Sequence, residues 1–574
     1  MAHRRTTHQR MAHRRSHRVA ELPLRRQAKF LSCRTSSSKL KGFESERNGP
    51  ARPDVIGGGE HKALFTTFLC SLFLGFVGTP LYAVERAIER PNILLILPDQ
   101  MRASAMGCDG NDQVKTPHID RLAAQGIRFR NTYANVPVCC SARAVLLTGT
   151  HAHVNGMLAN DLRLREEQVT LAELLSAHGY RTGFVGKWHL DGGPRLPGFV
   201  PPGPRRQGFE FWAAYECHHQ HFNPTYFRDT PDVININKFE PEASCDFALE
   251  FLRTQPRDRP FFLTVQMGPP HNPYGAPEKY MQQYPPERVV PPRNWQPGSG
   301  QSPTKNTAKN ATKNAASKSA GAVLNRGVSP GGLEEIAAYY AAVTAIDDQL
   351  GRLMQTLQEL KLDQNTIVLF TSDHGDMLGS HGLRLKRKPY DESARVPGII
   401  RWPERIPSGQ VAATLLSHVD MAPTLLGLAG LDVPKNLQGI NLANVALGRS
   451  TQGPDAVLLQ QFVPFRPDNV LAPWRGLITQ RYTYARFEDS PWLLFDRQTD
   501  PDEMQNLIDD AESAELRNQL DEQLTALMKK NGDAWNFNTS ESVEEGGGLY
   551  SKQTFYSLDD YLEWKKSQPV PEKR

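Results

Sequence analysis

Cysteine is scarce in this chain, with 7 residues among 574. That number excludes the small secreted scaffolds that depend on many disulfide bonds for their stability. The 44 glycines and 43 prolines follow no three-residue repeat, which excludes a collagen-like fibre. Hydrophobic residues make up 39% of the chain and charged residues 22%. A chain of this length and composition can bury a large core, so we expect a large globular protein.

The body of the chain has no excess of positive charge. The formal net charge is +5, but residues 1–83 alone hold 15 basic and 5 acidic residues. The other 491 residues hold 52 basic and 57 acidic residues, which is a net charge of −5. Bulk charge therefore gives no reason to expect a nucleic-acid partner.

The first 83 residues are interpreted as a basic leader that ends in a signal peptide. Residues 1–60 are rich in Arg, His and Ser and contain too few large apolar side chains to fold alone. The segment around 61–83 has a positive start and then an uncharged, mostly apolar run. This order is typical of a secretory signal, with cleavage near Ala83 and export to the periplasm or the extracellular space. An uncleaved membrane anchor is the alternative. The signal begins so far into the chain that we expect the true start nearer Val55.

Apolar strands alternate with helical segments along the body. ILLIL at 93–97 and TIVLFT at 366–371 are continuous apolar runs, typical of strands buried on both faces. Further strands are predicted at 127–129, 181–185 and 260–267, and helices at 116–126, 170–175 and 334–360. This alternation predicts an α/β fold, with a large doubly wound sheet, mixed or mostly parallel, flanked by helices.

The same pattern divides the chain into three parts. After the leader, residues 84–450 are interpreted as the main domain. A polar, nearly repetitive insert at about 296–330 interrupts it and is predicted to be a disordered surface loop. Residues 451–574 contain alternating short strands and a helix at 514–529, which predicts a smaller C-terminal α+β subdomain.

Two pairs of polar residues follow predicted buried strands. Asp99 and Gln100 come at the end of the first strand, and Asp373 and His374 follow the strand at 366–371. The carboxyl ends of parallel strands meet at one edge of a sheet, where two carboxylates repel unless a cation joins them. Oxygen ligands suit a hard divalent ion, and the histidine nitrogen favours Mg²⁺ or Mn²⁺. The alternative is that each aspartate simply caps a helix.

A cysteine stands at a predicted helix start. Cys139-Cys140-Ser141-Ala142-Arg143 leads into an apolar run. Backbone N–H groups and the helix dipole favour an anion at such a position, and Arg143 falls one turn later on the same face. A nucleophile there would suit attack on a charged oxyester. The alternative is a buried cysteine pair in a packed helix start.

Four further ionisable residues fall just after predicted strands or in the loop after the second acidic pair: Lys187, His189, His271 and Lys386. Taken singly, such side chains are usually solvated or structural. Cations arranged around a tetrahedral anion, however, provide the charge neutralisation that its hydrolysis requires. The grouping therefore favours a catalytic interpretation over a structural one.

Taken together, these segments resemble the formylglycine-dependent sulfatases of the alkaline-phosphatase superfamily. The resemblance covers about residues 90–510 and rests on an ordered set of motifs, which are PNILLILPDQ, the stretch 139–149, GKWHL, PPHNPY, TSDHGDMLGSHG and the late Asp500-Pro501 region. It implies an alkaline-phosphatase-like fold and hydrolysis of a sulfate ester, with a sulfated carbohydrate as the expected substrate.

The resemblance also implies which residues act. A maturation enzyme would oxidise Cys139, the first cysteine of C-x-[P/A]-x-R, to formylglycine. One divalent metal, Ca²⁺ or else Mg²⁺ or Mn²⁺, would be bound by Asp99, Gln100, the modified Cys139, Asp373 and His374. The implied catalytic residues are Cys139, Arg143, Lys187, His189, His271 and Lys386, of which Lys187, His271 and Lys386 would also contact the substrate. A metal-bound hydroxyl of the hydrated aldehyde would attack sulfur, His271 or else Lys386 would protonate the leaving alcohol, and His189 would take the proton released with sulfate.

Three positions depart from the pattern of that family. Ser141 stands where Pro or Ala is usual, Gln100 replaces a frequent Asp, and His374 replaces a frequent Asn. The Asp-Gln and Asp-His pairs also occur in relatives that cleave phosphonate monoesters and phosphodiesters, so hydrolysis of those esters is a second hypothesis. A third is a non-catalytic binder of sulfated glycans in which Cys139 stays a thiol.

The segment YECHHQH at 215–221 is expected near the mouth of the pocket. There it would contact a sugar, bind a second metal, or form an ordinary polar loop. The sequence indicates neither the position of the sulfate nor the oligomeric state.

Overall fold

The structure, a computed structural model, describes residues 90–193, 198–296, 332–465, 468–535 and 553–567. The predicted leader and signal peptide at 1–83 lie outside these residues, and so does the predicted insert from residue 297 onward. Within the described ranges, none of the helices combines the length and the apolar character needed to span a bilayer.

The strands of the described chain belong to one large sheet and two smaller ones. In chain order they are β1 (Asn92–Asp99), β2 (Ile127–Tyr133), β3 (Arg181–Lys187), β4 (Phe211–Tyr215), β5 (Thr225–Tyr226), β6 (Ile234–Asn235), β7 (Phe261–Pro270), β8 (Thr366–Thr371), β9 (Gly398–Arg401), β10 (Gln410–Ser417), β11 (Ala456–Gln461), β12 (Trp474–Thr479), β13 (Tyr482–Arg486) and β14 (Pro491–Asp496).

The α-helices of the described chain range from one turn to more than seven. In chain order they are α1 (Pro117–Ala124), α2 (Cys139–Thr148), α3 (Ala152–Asn155), α4 (Leu171–Ala177), α5 (Glu240–Thr254), α6 (Glu278–Met281), α7 (Leu333–Glu359), α8 (Asp391–Ala394), α9 (His418–Leu428), α10 (Ala443–Ala446), α11 (Ala514–Asn531) and α12 (Leu558–Ser567).

The large sheet has eight strands in the order β10-β2-β9-β8-β1-β7-β3-β4. Every neighbouring pair is parallel except the two pairs that include β9, which is antiparallel to β2 and β8. β1 lies in the centre and pairs with β7 and β8, so that Ile93 stands opposite both Phe262 and Ile367. The predicted mixed, mostly parallel sheet is confirmed.

The central strand explains why the sheet is covered on both faces. Successive side chains of a strand point to opposite faces, and those of β1 from Ile93 to Leu97 are all apolar. Ile93, Leu95 and Leu97 belong to one core cluster, and Leu94 and Ile96 belong to the other. Helices α2, α4 and α9 contribute to the first cluster, and helices α1, α5 and α7 to the second. The fold is therefore the doubly wound α/β arrangement that the sequence predicts.

The four antiparallel strands β11–β14 form a second sheet, called here the C-terminal sheet. Leu477 and Tyr484 on one of its faces pack with Leu520 and Leu524 of α11. Trp474 on the other face packs in a cluster that also contains residues of the large-sheet body. This smaller sheet-and-helix unit agrees with the expected α+β character. The later helix α12 instead joins the first core cluster of the main body.

We expect the substitution Leu95→Ala to lower the free energy of unfolding by about 2–5 kcal/mol, because it leaves a cavity in the central strand. Leu95 is completely buried between the sheet and one helix layer. Chemical denaturation followed by circular dichroism would measure the change. Val290→Ala is the control, since Val290 is 64% exposed and its loss should stay within about 0.5 kcal/mol. Equal stability of the two variants would contradict this description of the core.

Candidate active site

The acidic residues predicted at two strand ends meet in the structure. β1 ends at Asp99, and Asp373 follows the end of its parallel neighbour β8. Both aspartates are completely buried. His374 Nε2 lies 3.6 Å from Asp99 Oδ1 and 3.7 Å from Asp373 Oδ1. One oxygen of each acid therefore faces the same imidazole nitrogen at the carboxyl edge of the sheet.

The other oxygen of each acid is bound by Arg143. Its Nη2 lies 3.1 Å from Asp99 Oδ2 and 2.9 Å from Asp373 Oδ2. Its Nη1 donates to Gln266 Oε1 at 2.6 Å and to the backbone carbonyl of Lys187 at 2.9 Å. Burial alone would lower the pKa of Arg143, but the two carboxylates raise it above its usual value. The guanidinium therefore stays charged and offsets much of the repulsion between the two acids.

Cys139 is the first residue of α2, and it lies on the same side of the acidic pair as His374. Its Sγ is 3.2 Å from His374 Nε2 and 3.9 Å from Asp99 Oδ1. Lys386 Nζ approaches the same sulfur to 3.2 Å. Burial would raise the pKa of the thiol, and so would Asp99, but the surrounding cations hold that pKa well below its usual value. These surroundings therefore stabilise a negative charge on the sulfur at the N-terminus of α2.

Four side chains present a donor set that fits a divalent metal. Asp99, Cys139, Asp373 and His374 each offer one ligand atom, and these atoms all lie within 4.8 Å of one another. Carboxylate oxygens suit hard divalent ions, and an imidazole nitrogen extends the choice to transition metals. His374 Nδ1 lies 2.9 Å from the carbonyl oxygen of Gly375. A proton held on Nδ1 by that carbonyl leaves Nε2 as the ligand atom.

Gln100, the fifth predicted ligand, touches this group through several bonds. Its backbone N–H donates to Asp373 Oδ1 at 2.9 Å. Its side-chain oxygen accepts a hydrogen bond of 2.8 Å from Lys386 Nζ, and its Nε2 donates to Asp376 Oδ2 at 2.7 Å. The amide oxygen thus lies beside the acidic pair and is shared with a lysine, so its part in metal binding stays a prediction.

Two buried lysines complete the positive side of the site. Lys187 Nζ lies 2.5 Å from Asp99 Oδ2, and only 1% of Lys187 is exposed. Lys386 lies on the far side of the sulfur and is 3% exposed. Burial would lower the pKa of Lys386, but Cys139 and Asp99 raise it above its usual value. Both lysines therefore remain cationic where an anionic ester would have to bind.

His271 faces Lys386 across the opening of the site. Its Nε2 lies 3.0 Å from Lys386 Nζ, and its Nδ1 lies 2.6 Å from the carbonyl oxygen of Asn272. Burial first, and then the charge of Lys386, hold the pKa of His271 well below its usual value. The ring is therefore neutral in this arrangement, with Nε2 as the acceptor of the lysine's hydrogen bond.

His189 lies beside Cys140, the residue that follows the candidate nucleophile Cys139. Its Nε2 lies 3.1 Å from Asp161 Oδ1, and it also contacts the thiol of Cys140, the neighbour of Cys139. Burial would lower the pKa of His189, but nearby negative groups raise it well above its usual value. The structure thus gives this predicted residue an acidic partner that sequence reasoning did not name.

The histidine-rich segment contacts one of the predicted site residues, His271. The ring of His219 stacks on His271, with centroids 4.3 Å apart and an angle of 9° between the planes. His218 stacks on Tyr215 at 3.9 Å, and its Nε2 contacts the carbonyl oxygen of Thr225. His219 is only half-buried, so this segment places a partly exposed ring directly against His271.

Three supporting residues were not singled out from the sequence: Gln266, Asp161 and Asp376. Gln266 is a polar residue with a long side chain inside the mostly apolar strand β7, and that interruption is the signal that could have revealed its bond to Arg143. Asp376 accepts hydrogen bonds from Gln100 and, at 2.6 Å, from the hydroxyl of Tyr274. It lies within the TSDHGD motif, close to the predicted ligands.

The family of the chain follows from its comparison with known proteins. A family model described as Sulfatase matches residues 91–431. This chain belongs to the sulfatase family. It is therefore a hydrolase of sulfuric esters. A second model, described as the C-terminal region of N-sulphoglucosamine sulphohydrolase, matches residues 379–530 of this sulfatase.

Several known proteins are similar to this sulfatase over most of their length. An ulvan-active sulfatase from Formosa agariphila is 36% identical over 77% of this chain and 82% of its own length. An N-acetylglucosamine-6-O-sulfatase from Bacteroides thetaiotaomicron is 27% identical over 78% of this chain and 87% of its own. A solved structure in complex with its substrate, D-glucosamine-2-N,6-O-disulfate, is 27% identical, with a TM-score of 0.66 over 79% of this chain and 100% of that chain.

We expect the substitution Asp373→Asn in this sulfatase to weaken Ca²⁺ binding by at least about 10-fold, since it removes a charged ligand from the buried group. Isothermal titration of the purified protein with Ca²⁺, and then with Mg²⁺ and Mn²⁺, would measure the affinities. Asp420→Asn is the matched control, because Asp420 is a buried carboxylate that bonds Ser417 at the start of α9. Unchanged Ca²⁺ affinity in the first variant would argue against this metal site.

Proposed function

We propose that this sulfatase removes sulfate from a sulfated carbohydrate, using a formylglycine made from Cys139 and one divalent metal ion, Ca²⁺. The observation that carries the proposal is the convergence around one buried sulfur. Lys386 Nζ and His374 Nε2 each lie 3.2 Å from Cys139 Sγ, and the acidic pair lies beside them. A structural cysteine would not require buried cations and a potential metal-binding group on the same atom.

The formylglycine and the divalent metal ion together account for the proposed nucleophile. A divalent ion next to formylglycine supplies a nucleophilic hydroxyl at neutral pH, because the ion lowers the pKa of an oxygen bound to it. In this proposal the metal ligands are Asp99, Gln100, the modified Cys139, Asp373 and His374. Arg143 binds Oδ2 of both aspartates, which would leave the two Oδ1 atoms available to hold the ion.

The remaining residues would act on the charged ester. Lys187 and Lys386 would lie against the sulfuryl oxygens and offset the negative charge that builds up on them. His271 would pass a proton to the leaving alcohol, and because its Nε2 is unprotonated and accepts from Lys386 Nζ, that proton would be supplied by Lys386. His189, paired with Asp161, would in its unprotonated form take up the proton that is released when sulfate departs, and its raised pKa would make it a strong base for that step.

A carbohydrate substrate is supported by the names of the relatives and by the rim of the site. The relatives are described as acting on ulvan and on N-acetylglucosamine-6-sulfate. His219, stacked on His271, presents a half-buried polar ring directly beside the proposed proton donor. Because the alcohol leaving group must lie next to that donor, the sugar that carries it would contact His219.

The proposal extends to the maturation and location of the protein. Cys139 would be converted by a separate formylglycine-generating enzyme that tolerates Ser141 in the motif. We further propose that the signal peptide around 61–83 directs export, that residues 84–450 form the catalytic domain, and that residues 451–574 form its C-terminal subdomain.

We expect Cys139→Ala to lower turnover of an aryl sulfate by at least about 10³-fold while the fold stays intact, because the variant cannot form the nucleophile. Cys245→Ala is the matched control, since Cys245 is a buried thiol that contacts the carbonyl oxygen of Gln349. Circular dichroism would check that both variants fold. Full activity of Cys139→Ala would contradict the proposed nucleophile.

The mass of the peptide that contains Cys139 tests the modification directly. Conversion of CH₂SH to CHO lowers the mass by about 18 Da, and fragmentation distinguishes Cys139 from Cys140. An unmodified thiol in fully active enzyme would contradict the proposal, whereas an unmodified thiol in a protein without activity would favour the non-catalytic binder. Assays on an aryl sulfate and an aryl phosphonate monoester separate the second hypothesis, and we expect the larger kcat/KM on the sulfate.

We expect His219→Ala to raise KM for a sulfated monosaccharide about 5-fold, because a hydrogen bond to the sugar is lost. KM for an aryl sulfate, which lacks the sugar hydroxyls, should change less. His219→Phe keeps a ring against His271 and separates recognition from stacking. A change of the same size on both substrates in the alanine variant, reversed by phenylalanine, would show that His219 only supports His271.

A further inference from the structure

The loop that carries Lys386 has an unusual backbone on both sides of the lysine. Leu385 has a φ of 59° and Arg387 a φ of 71°, so both neighbours lie in the left-handed region. Neither is a glycine or an asparagine, the residues that enter this region most easily. Residues in such backbone conformations persist only when the surrounding structure stabilises them. The contacts of this loop therefore decide where the amine of Lys386 lies.

Lys388 holds the loop from within. It is completely buried, and its Nζ donates to the carbonyl oxygen of Arg384 at 3.0 Å and to that of Lys386 at 3.0 Å. The two bonds connect the backbone on either side of Leu385. The N–H of Met377 donates to the carbonyl oxygen of Leu385 at 2.7 Å and fixes the middle of the same turn.

The C-terminal sheet holds the loop from outside. Trp474, the first residue of β12, is completely buried, and its indole Nε1 donates to the carbonyl oxygen of Arg387 at 3.0 Å. The guanidinium of Arg387 forms a buried ion pair with Asp468 and lies 3.7 Å from the centre of the Phe465 ring. One side-chain bond and one ion pair from the C-terminal region thus fix the residue directly after Lys386.

We propose that Trp474 and Asp468 are positioning residues for Lys386, so that the C-terminal sheet sets the distance between this lysine and the reacting sulfate. The inference rests on the proposed function, which gives Lys386 its place against the sulfuryl oxygens. Neither residue touches the reacting atoms. Each acts through Arg387, whose backbone conformation determines the direction in which the preceding lysine side chain leaves the loop.

The chain offers a matched pair of tryptophans for the test. Trp492, in β14 of the same sheet, is 2% exposed and lies 6.1 Å from Trp474 between ring centroids. Within the described residues, its indole nitrogen makes no hydrogen bond. Trp474→Phe and Trp492→Phe remove similar volumes from one cluster, but only the first removes a bond to the lysine loop.

We expect Trp474→Phe to lower kcat/KM for an aryl sulfate about 10-fold relative to Trp492→Phe, because a small displacement of a charge-neutralising group is costly. Inhibition by inorganic sulfate, measured with the mature full-length enzyme, should weaken in parallel. The two variants should have similar melting temperatures. Asp468→Asn removes the charged partner of Arg387 by a separate change and should show the same two effects. It replaces Trp474→Phe as the test if that variant does not fold.

Equal kcat/KM and equal sulfate inhibition in the two tryptophan variants, with Asp468→Asn unchanged as well, would overturn the inference. Lys386→Met separates that outcome from a failure of the proposed function. If Lys386→Met retains full activity, the role of Lys386 is wrong and the inference falls with it. If Lys386→Met is inactive while the variants of the C-terminal sheet are unaffected, only the positioning role is wrong.

Discussion

The site depends on the sharing of two buried carboxylates between a guanidinium on one side and a metal-binding position on the other. Asp99 and Asp373 extend from adjacent strands and could not both stay ionised in the interior without cations. Arg143 meets one oxygen of each and leaves the other two directed toward His374. The same arginine lies one turn along α2 from Cys139, so the bonds that compensate the acids also attach the helix of the proposed nucleophile to the sheet.

That arrangement explains how a large doubly wound frame supports a compact site. The central strand β1 is apolar on both faces from Ile93 to Leu97, and its polar carboxyl end at Asp99 lies at the edge of the sheet. Helix α2 contributes its N-terminus at this edge, and the loop after β8 brings Lys386 over it. The C-terminal sheet closes the far side of that loop. Residues more than 280 positions apart thus contribute to one site.

The sequence predicts the frame and most of the site. The physical reasons for this also explain why other features could not be predicted. A strand buried on both faces has no polar residue to interrupt it, so β1 and β8 are visible as apolar runs, and the topology of parallel sheets brings their ends together. β10 carries exposed residues in its first half, and β9 has only four residues, so neither has a clear period. The bonds of Trp474 to Arg387 and of Gln266 to Arg143 join residues about 90 and 120 positions apart. Such contacts are set by three-dimensional packing and leave no periodic trace.

The depth of Cys139 has a consequence for the order of events in the life of the protein. The residue is 1% exposed, at the start of a helix whose ten residues are all buried. A second enzyme must bind several backbone residues around a target side chain, and the folded protein exposes no residue of α2 for it to bind. Any conversion of this cysteine therefore belongs to a newly made chain, in the interval before α2 docks on the sheet. The speed of folding, and not only the motif, then sets the fraction of molecules that ever become competent.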